Sequence, residues 1–486
     1  MFEHREKRCF SYEDGFFIAI FLYFAFQSFY FALRIAPGIF PDETTHFGLA
    51  QVFAKHLIPV NSPATYRYGL VTHVPTLYYF LMGRLLALDP FPGSGLIYLR
   101  CINVVLGLTG FYFAWRWFRT ISRSAAARIL FLLLLANTLM YSFLAGAVSY
   151  DNLTNLLAVV TLYGLTAYAQ NGKVGQFLLF TAALLAGCLS KTSFLPYAFA
   201  LALAAAAVMI TRNRAGKKNK EIHLFRNPFS ARSHLLPVVL VVLLLTGNVV
   251  LYGGNLIRYH HLVPGAMQIL TEDQAMQNRI FARDRITDLY RRGKISWEQA
   301  VGMLPLIRNR GDRASAYYGL EISVREKRHP TQRKDRLTYA FIWSKRMLSL
   351  IHGIAAHRMM QKEGYALTPY ILLWLLLLGR MTRRIRESDL AGWAIPLVLL
   401  SAFYILILMQ VVNYNSYLKT SSLYTAVQGR YLFPVIVPIY GLMAHYLTDG
   451  LPRYVRWGAV LIIGAGMIYA GFPWFLSHAG PEWFIS

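Results

Sequence analysis

The sequence predicts an all-α fold, a polytopic membrane bundle of about eleven transmembrane helices with amphipathic helices in the first outer loop. Three observations predict it. Of 486 residues, 56% are hydrophobic and only 15% are charged, against about a quarter charged in a soluble protein of this size. Apolar runs near the ~20 residues that span a bilayer recur along the chain. Basic residues gather between alternate runs, which is how membrane proteins fix their orientation.

The elements follow in order. HREKR precedes the first apolar run, 15–36, so the N-terminus is expected in the cytoplasm and PDETTH, 41–46, outside. No small-residue cleavage site follows that run, which is therefore expected to be a retained helix. TTHFGLAQVFAKHL reads as a short amphipathic helix. TLYYFLMGRLLAL, 76–88, is apolar but too short to span, and is expected at the interface or in the outer leaflet. Further spans are expected near 96–114, 129–148, 153–170, 176–190, 192–210, 235–253, 366–379, 391–412, 431–447 and 457–475, of which 176–190 and 366–379 are the weakest. Eleven spans would leave the C-terminus outside.

Charge supports this layout. About 21 Lys and Arg fall in the predicted inner segments, including WRWFRTISRSAAAR, TRNRAGKKNKEIHLFRNPFSARSH and RMTRRIR, against about seven in the short outer ones. The net charge of +26 is thus largely topological, and nucleic acid is not an expected partner. Residues 254–365 carry about 20 basic and 10 acidic residues yet fall outside, as long loops often do regardless of charge. AMQNRIFARDRITDLYRRGKISWEQAVGML within them reads as helical. The chain therefore divides into a membrane module at 1–253, a polar, mostly helical outer loop at 254–365, and C-terminal transmembrane helices at 366–486. Cys9, Cys101 and Cys188 form neither a disulfide framework nor a CxxC site.

Ionisable groups collect on the predicted outer side: Asp42, Glu43, His46, His73, Asp151, Lys191 and Arg430. Each has a bland role open to it. Asp42 could cap the helix that follows it, with Glu43 in its first turn. Asp151 could open a helix, and Lys191 and Arg430 could snorkel to the interface. Clustered on one face, the set instead makes sense as a reaction site. A carboxylate accepts a proton from a sugar hydroxyl, and a lysine with an arginine holds a phosphate leaving group. An open cavity between helices would leave a lipid tail in the bilayer. Asp42, Glu43, His46 and Asp151 could also ligate a divalent metal ion, although Glu43 and His46 lack the HExxH spacing of a zinc helix.

PDETTH at 41–46, HVPTLYYFL at 73–81, YDNLTNLLA at 150–158, SKTSFLP at 190–196 and QGRYLFPVIVP at 428–438 together resemble the GT-C class of integral membrane glycosyltransferases. Within it the chain looks most like a bacterial multi-spanning group with a PDExxH motif in the first outer loop. The resemblance implies a GT-C-type bundle in the inner (cytoplasmic) membrane, a polyprenyl-phosphate-linked sugar donor, and transfer to a glycan, lipid or protein acceptor on the outer, periplasmic face. It places the catalytic base on Asp42, with Glu43 as the competing choice, and the donor-phosphate contact on Arg430, assisted by Lys191. Asp151 matches a second acidic position that would orient the acceptor or a metal, with His46, His73 and Tyr431 as further orienting groups. HVP stands where many relatives have His-Pro-Pro, and the 254–365 loop has no counterpart. A transporter or flippase of a lipid-linked saccharide, or a lipid-linked glycan polymerase or ligase, would share much of this layout. The chain shows no repeated halves of the kind many transporters carry.

Overall fold

A computed structural model describes residues 12–485, apart from 92, 219–233, 308–309, 329–333, 388–390, 421 and 424–425. HREKR, Cys9 and most of TRNRAGKKNKEIHLFRNPFSARSH lie outside the described residues. The fold is an all-α membrane bundle. Among the described residues, seven helices are long and apolar enough to cross a bilayer, and an eighth is a bent pair.

The first span is α1, Tyr12–Arg34, and the first loop holds α2, Glu43–Lys55, α3, Pro63–Tyr66, and α4, Leu77–Leu86. Then come α5, Gly95–Ile121, and the bent pair α6, Ala125–Ala136, and α7, Leu139–Ala145, which meet at 63°. No proline sits at that bend. Asn137 and Thr138 turn their side chains back onto the carbonyls of Leu133 and Leu134, and Thr138 also bonds Tyr440 Oη at 2.6 Å. Polar groups inserted into the helix ladder are a recognised cause of kinks.

Next are α8, Tyr150–Asn171, α9, Val174–Ser190, α10, Leu195–Lys218, α11, Leu235–Asn248, and α12, Gly254–Tyr259. Five helices of the polar 254–365 region follow: α13, Ala266–Ile269, α14, Glu272–Met276, α15, Arg279–Arg291, α16, Trp297–Met303, and α17, Arg310–Arg328. The chain closes with α18, Arg336–His352, α19, Thr368–Arg386, α20, Ala394–Leu406, α21, Tyr414–Thr420, α22, Phe433–Thr448, α23, Arg453–Ala470, and α24, Phe472–His478. The only strands among the described residues are the two-residue pair Ile354–Ala355 and Met359–Met360.

Each of the eleven apolar runs in the sequence falls on a helix. Three of those helices do not meet the length and apolarity of a span: α8, which is diluted by polar residues, α9, with 17 residues, and α19, whose last turns carry Arg380, Arg383, Arg384 and Arg386. The ends of the bundle are legible from contacts. Ile35 pairs with Phe484 in an isolated bridge, so the C-terminus lies beside the first loop. At the other end, Glu13 and Asp14 pair with Arg128 and Arg119, and Arg384 pairs with Asp449.

Three cores hold the fold. The largest runs through the spans, centred on α6, α7 and α22, with Trp115, Trp117, Phe143 and Tyr440 essentially inaccessible. A second lies under the first loop, where Leu49, Phe53, Tyr78, Tyr79 and Met82 pack on Leu99 and Leu153. Gly83 permits this packing: a Cβ there would sit 2.6 Å from Phe53 Cβ. The 76–88 stretch is thus packed against α2 and α5. The third core belongs to α15, α16 and α17 and joins Ala282, Ile286, Ala300, Ile307, Ala316 and Leu320.

Candidate active site

The loop after α1 ends at Asp42, whose backbone is left-handed (φ 56°). Aspartate tolerates this region better than most residues, and it decides where the side chain goes. Asp42 starts α2 with its carbonyl, which accepts from Thr45 and His46 N–H, but its carboxylate makes no cap bond. The carboxylate turns to Arg430 instead, with Nη2 donating to Oδ2 at 2.7 Å. The Asp42 N–H donates to His357 Nε2 at 3.3 Å, and His357 N–H donates to Ile39 O at 3.0 Å. A capping role for the Asp42 side chain is thus excluded by its geometry.

Glu43 is one residue on, about 100° around the helix, and points inward. Its carboxylate takes both Nε (2.8 Å) and Nη2 (2.6 Å) of Arg100, and Oε1 also accepts from Val148 N–H at 3.2 Å. Arg100 Nη1 completes the cage on the carbonyls of Ala32 and Ile35, and its guanidinium lies 4.7 Å from the centre of the Phe40 ring. Both side chains are fully buried. Glu43 is thus saturated by partners and locks the first loop onto α5.

The floor of the site comes from three helix ends. Ser149 caps α8 and sets Asp151 in its first turn. Lys191, just past α9, pairs with Asp151 Oδ1 and lies over the rings of Tyr150 (4.5 Å) and Tyr431 (4.9 Å). Arg430 Nε stands 3.3 Å from Asp151 Oδ2. The turn that carries Arg430 is pressed onto α18, where a Cβ at Gly429 would sit 2.5 Å from the backbone of Ile351. Arg430 is 2% exposed, and its Nη1 has no hydrogen-bond partner among the described residues.

Burial by itself would push the Asp42 carboxyl up. The Arg430 guanidinium, with smaller help from His46 and His357, outweighs burial and holds the group well below the usual carboxylate range. His46 is buried, and its Nδ1 shares a 2.8 Å hydrogen bond with Tyr79 Oη while its ring meets Tyr150 edge-on. Burial pushes its pKa down to about 4, more strongly than Asp42 and Asp151 pull it up. It is a neutral imidazole at physiological pH.

Asp42, Asp151, Lys191, Arg430 and Tyr431 thus come together, with His46 alongside. His73 does not join them. Its side chain bonds Asn255 Oδ1 at 3.1 Å, and its ring meets Tyr259, so it ties the first loop to α12. Among the described residues no three His, Cys, Asp or Glu side chains are grouped to hold an ion; Glu43 is engaged by Arg100, and Asp151 by Lys191 and Arg430. A cavity of about 930 Å³ opens on another face of α2, lined by Phe47, Gln51, Lys55, Arg67 and Tyr68 among others, and contains none of the site residues.

Three participants escape sequence reading. Arg100 was visible as a lone charge in the apolar run GLIYLRCINVV, and such a charge needs a partner. His357 and Arg279, which reaches Thr45 Oγ1 at 3.2 Å, come from the region without a family counterpart and carried no local signal.

No family model matches the chain, and no curated protein matches it. Among solved structures it is similar to the apo crystal structure of ArnT from Cupriavidus metallidurans, with 14% identity over 97% of this chain and 82% of that one, at a TM-score of 0.37. The likeness is distant, and no residue's role is taken from it.

Proposed function

We propose that this protein is a GT-C-type membrane glycosyltransferase that moves a sugar from a polyprenyl-phosphate donor to an acceptor hydroxyl at the outer face of the inner membrane. One observation carries the reading: the Asp42–Arg430 pair is only half committed. Arg430 is buried, yet its Nη1 has no partner among the described residues. Asp42 holds its other end with a side chain 34% exposed, while Asp151 beneath is 4% exposed. A buried guanidinium with an open donor fits a phosphate, and the more exposed carboxylate is the one free to let go.

The chemistry follows from that exchange. The donor phosphate takes the Nη groups of Arg430 and displaces Asp42, with Lys191 adding charge as the phosphate leaves. Asp42, released from the group that depresses its pKa, regains basicity and accepts the proton of the acceptor hydroxyl. The hydroxyl oxygen bonds to the anomeric carbon as the carbon–oxygen bond to phosphate breaks on the opposite face, which inverts the configuration. Phosphate needs little protonation to leave, so one base suffices. The lipid tail stays in the bilayer while its phosphate reaches no deeper than the headgroup level, which accounts for acids at the mouth of a membrane helix. Tyr431 and Tyr150 wall the lysine from water.

The test is turnover of the donor. Purified protein incubated with a polyprenyl-phosphate sugar and a mixture of envelope glycans is expected to release polyprenyl phosphate. Movement of intact donor across a reconstituted bilayer, with no release, would identify a flippase instead.

A further inference from the structure

The outer helices have their own core, yet they reach into the candidate site at one point. Asn278 caps α15, its side-chain oxygen accepting from the N–H groups of Ile280 and Phe281, while its Nδ2 donates to Tyr66 O at 3.1 Å. That fixes Arg279, the first residue of α15, against the first loop. Its Nη2 donates to Thr45 Oγ1 at 3.2 Å and lies 3.7 Å from Asp42 Oδ1; its Nη1 pairs with Asp312 at 3.2 Å. The Arg279 side chain is 17% exposed. An arginine here does nothing for its own helix, because the N-terminal end of a helix dipole favours negative charge. Its position serves what lies across from it.

Asp42 is therefore gripped on both oxygens: Oδ2 by Arg430 from within the bundle, Oδ1 by Arg279 from the outer helices. The other charged or titratable groups around it are His46 on α2, His357 between α18 and α19, and Asp151 with Lys191 on the floor.

We propose that Arg279 is a positioning residue of the transfer site, holding Oδ1 of Asp42 from the outer side so that the carboxylate stays aimed at the acceptor when the donor phosphate takes Arg430. The outer helices then complete the site that the membrane helices begin. This rests on the glycosyl-transfer reading, but the contact can be measured without it.

Two measurements test it. In donor turnover, Arg279→Gln is expected to lower kcat about fivefold, the scale of one partly exposed ion pair, with donor KM within about twofold. The acid limb of the kcat profile should move to higher pH, because a cation that favours the carboxylate is gone. Arg279→Lys should recover part of the rate, and Asp312→Asn should loosen Arg279 and give a smaller loss. In the second measurement, Asp42→Cys is made with Cys9, Cys101 and Cys188 replaced by alanine, and its alkylation rate is followed against pH. Adding Arg279→Gln should raise the midpoint. A raised donor KM at constant kcat would make Arg279 a donor-binding residue and overturn the proposal. So would a fall in thermal stability alone, with kcat, pH profile and thiol midpoint unchanged. If the wild type releases no polyprenyl phosphate but the thiol midpoint moves, the contact stands and the glycosyl-transfer reading falls.

Discussion

Two buried arginines, Arg100 and Arg430, sit at the same end of the bundle, one facing each of two adjacent acids. Arg100 gives four hydrogen bonds, two to Glu43 and two to backbone carbonyls. Arg430 gives one, to Asp42, rests 3.3 Å from Asp151, and leaves Nη1 unpartnered among the described residues. A buried charge is tolerated when its hydrogen-bonding capacity is met. The first arginine meets that condition with protein alone. The second does not, and its incompleteness on a rigid turn beside a half-exposed carboxylate is the mark of a group held ready for a ligand. The difference between Asp42 and Glu43 is then one of commitment rather than of chemistry.

The sharpest way to break this comparison is to neutralise each acid in turn. Asp42→Asn keeps the shape and removes the base, and should lower turnover roughly 10²–10⁴-fold while donor binding survives. Glu43→Gln should act on the other axis. Removing one charge of a fully buried pair destabilises by about 3–5 kcal/mol, so folded yield and thermal stability in detergent should fall while kcat per folded molecule stays near normal. A dead but stable Glu43→Gln together with an active Asp42→Asn would exchange the two roles. Activity in both would remove the first loop from the chemistry.

Arg430→Lys probes the second half of the comparison. Lysine keeps the charge but cannot offer the planar fork. The loss of a charge-assisted bond of about 1.5–3 kcal/mol predicts roughly 10–100-fold slower turnover. Measured as single-turnover donor cleavage, wild-type kinetics in this variant would separate Arg430 from the phosphate.

Much of this was legible in the sequence, and what was not has a physical reason. The eleven apolar runs mark helical segments because apolar length is a local property, but it does not show that the run at 129–148 breaks into α6 and α7. TTHFGLAQVFAKHL marks α2 because amphipathic period is local too. The residues that form the floor, Asp151, Lys191 and Arg430, stand out because each is a charge at the end of an apolar run. What pattern cannot carry is pairing. Glu43 and Asp42 look alike as neighbours, and only the fold places Arg100 57 positions on against one and Arg430 388 positions on against the other. The left-handed backbone of Asp42 is equally silent: the same letters read as an ordinary helix cap. Arg279 and His357 lie in a region without a matching motif, so their approach to the first loop is visible only in three dimensions.

The smallest effect is expected from His46, which lies between the two arginine sites without belonging to either. Its pKa of about 4 lies below the ~6.5 of an unfolded histidine. Between those values the undocked loop binds a proton that the docked loop excludes, so docking is at full strength above about pH 6.5 and weakens as pH falls toward 4. At pH 5 the penalty is of order 2 kcal/mol, or about 30-fold in the opening equilibrium. Amide exchange over residues 43–55, corrected for intrinsic rates, should therefore be faster at pH 5 than at pH 7.5. His46→Gln retains a partner for Tyr79 and removes the titration, so the difference should vanish while turnover at pH 7.5 stays within about tenfold of wild type. Should the difference persist in the variant, the acid sensitivity does not come from His46, and the His46–Tyr79 contact is not what makes loop docking depend on pH.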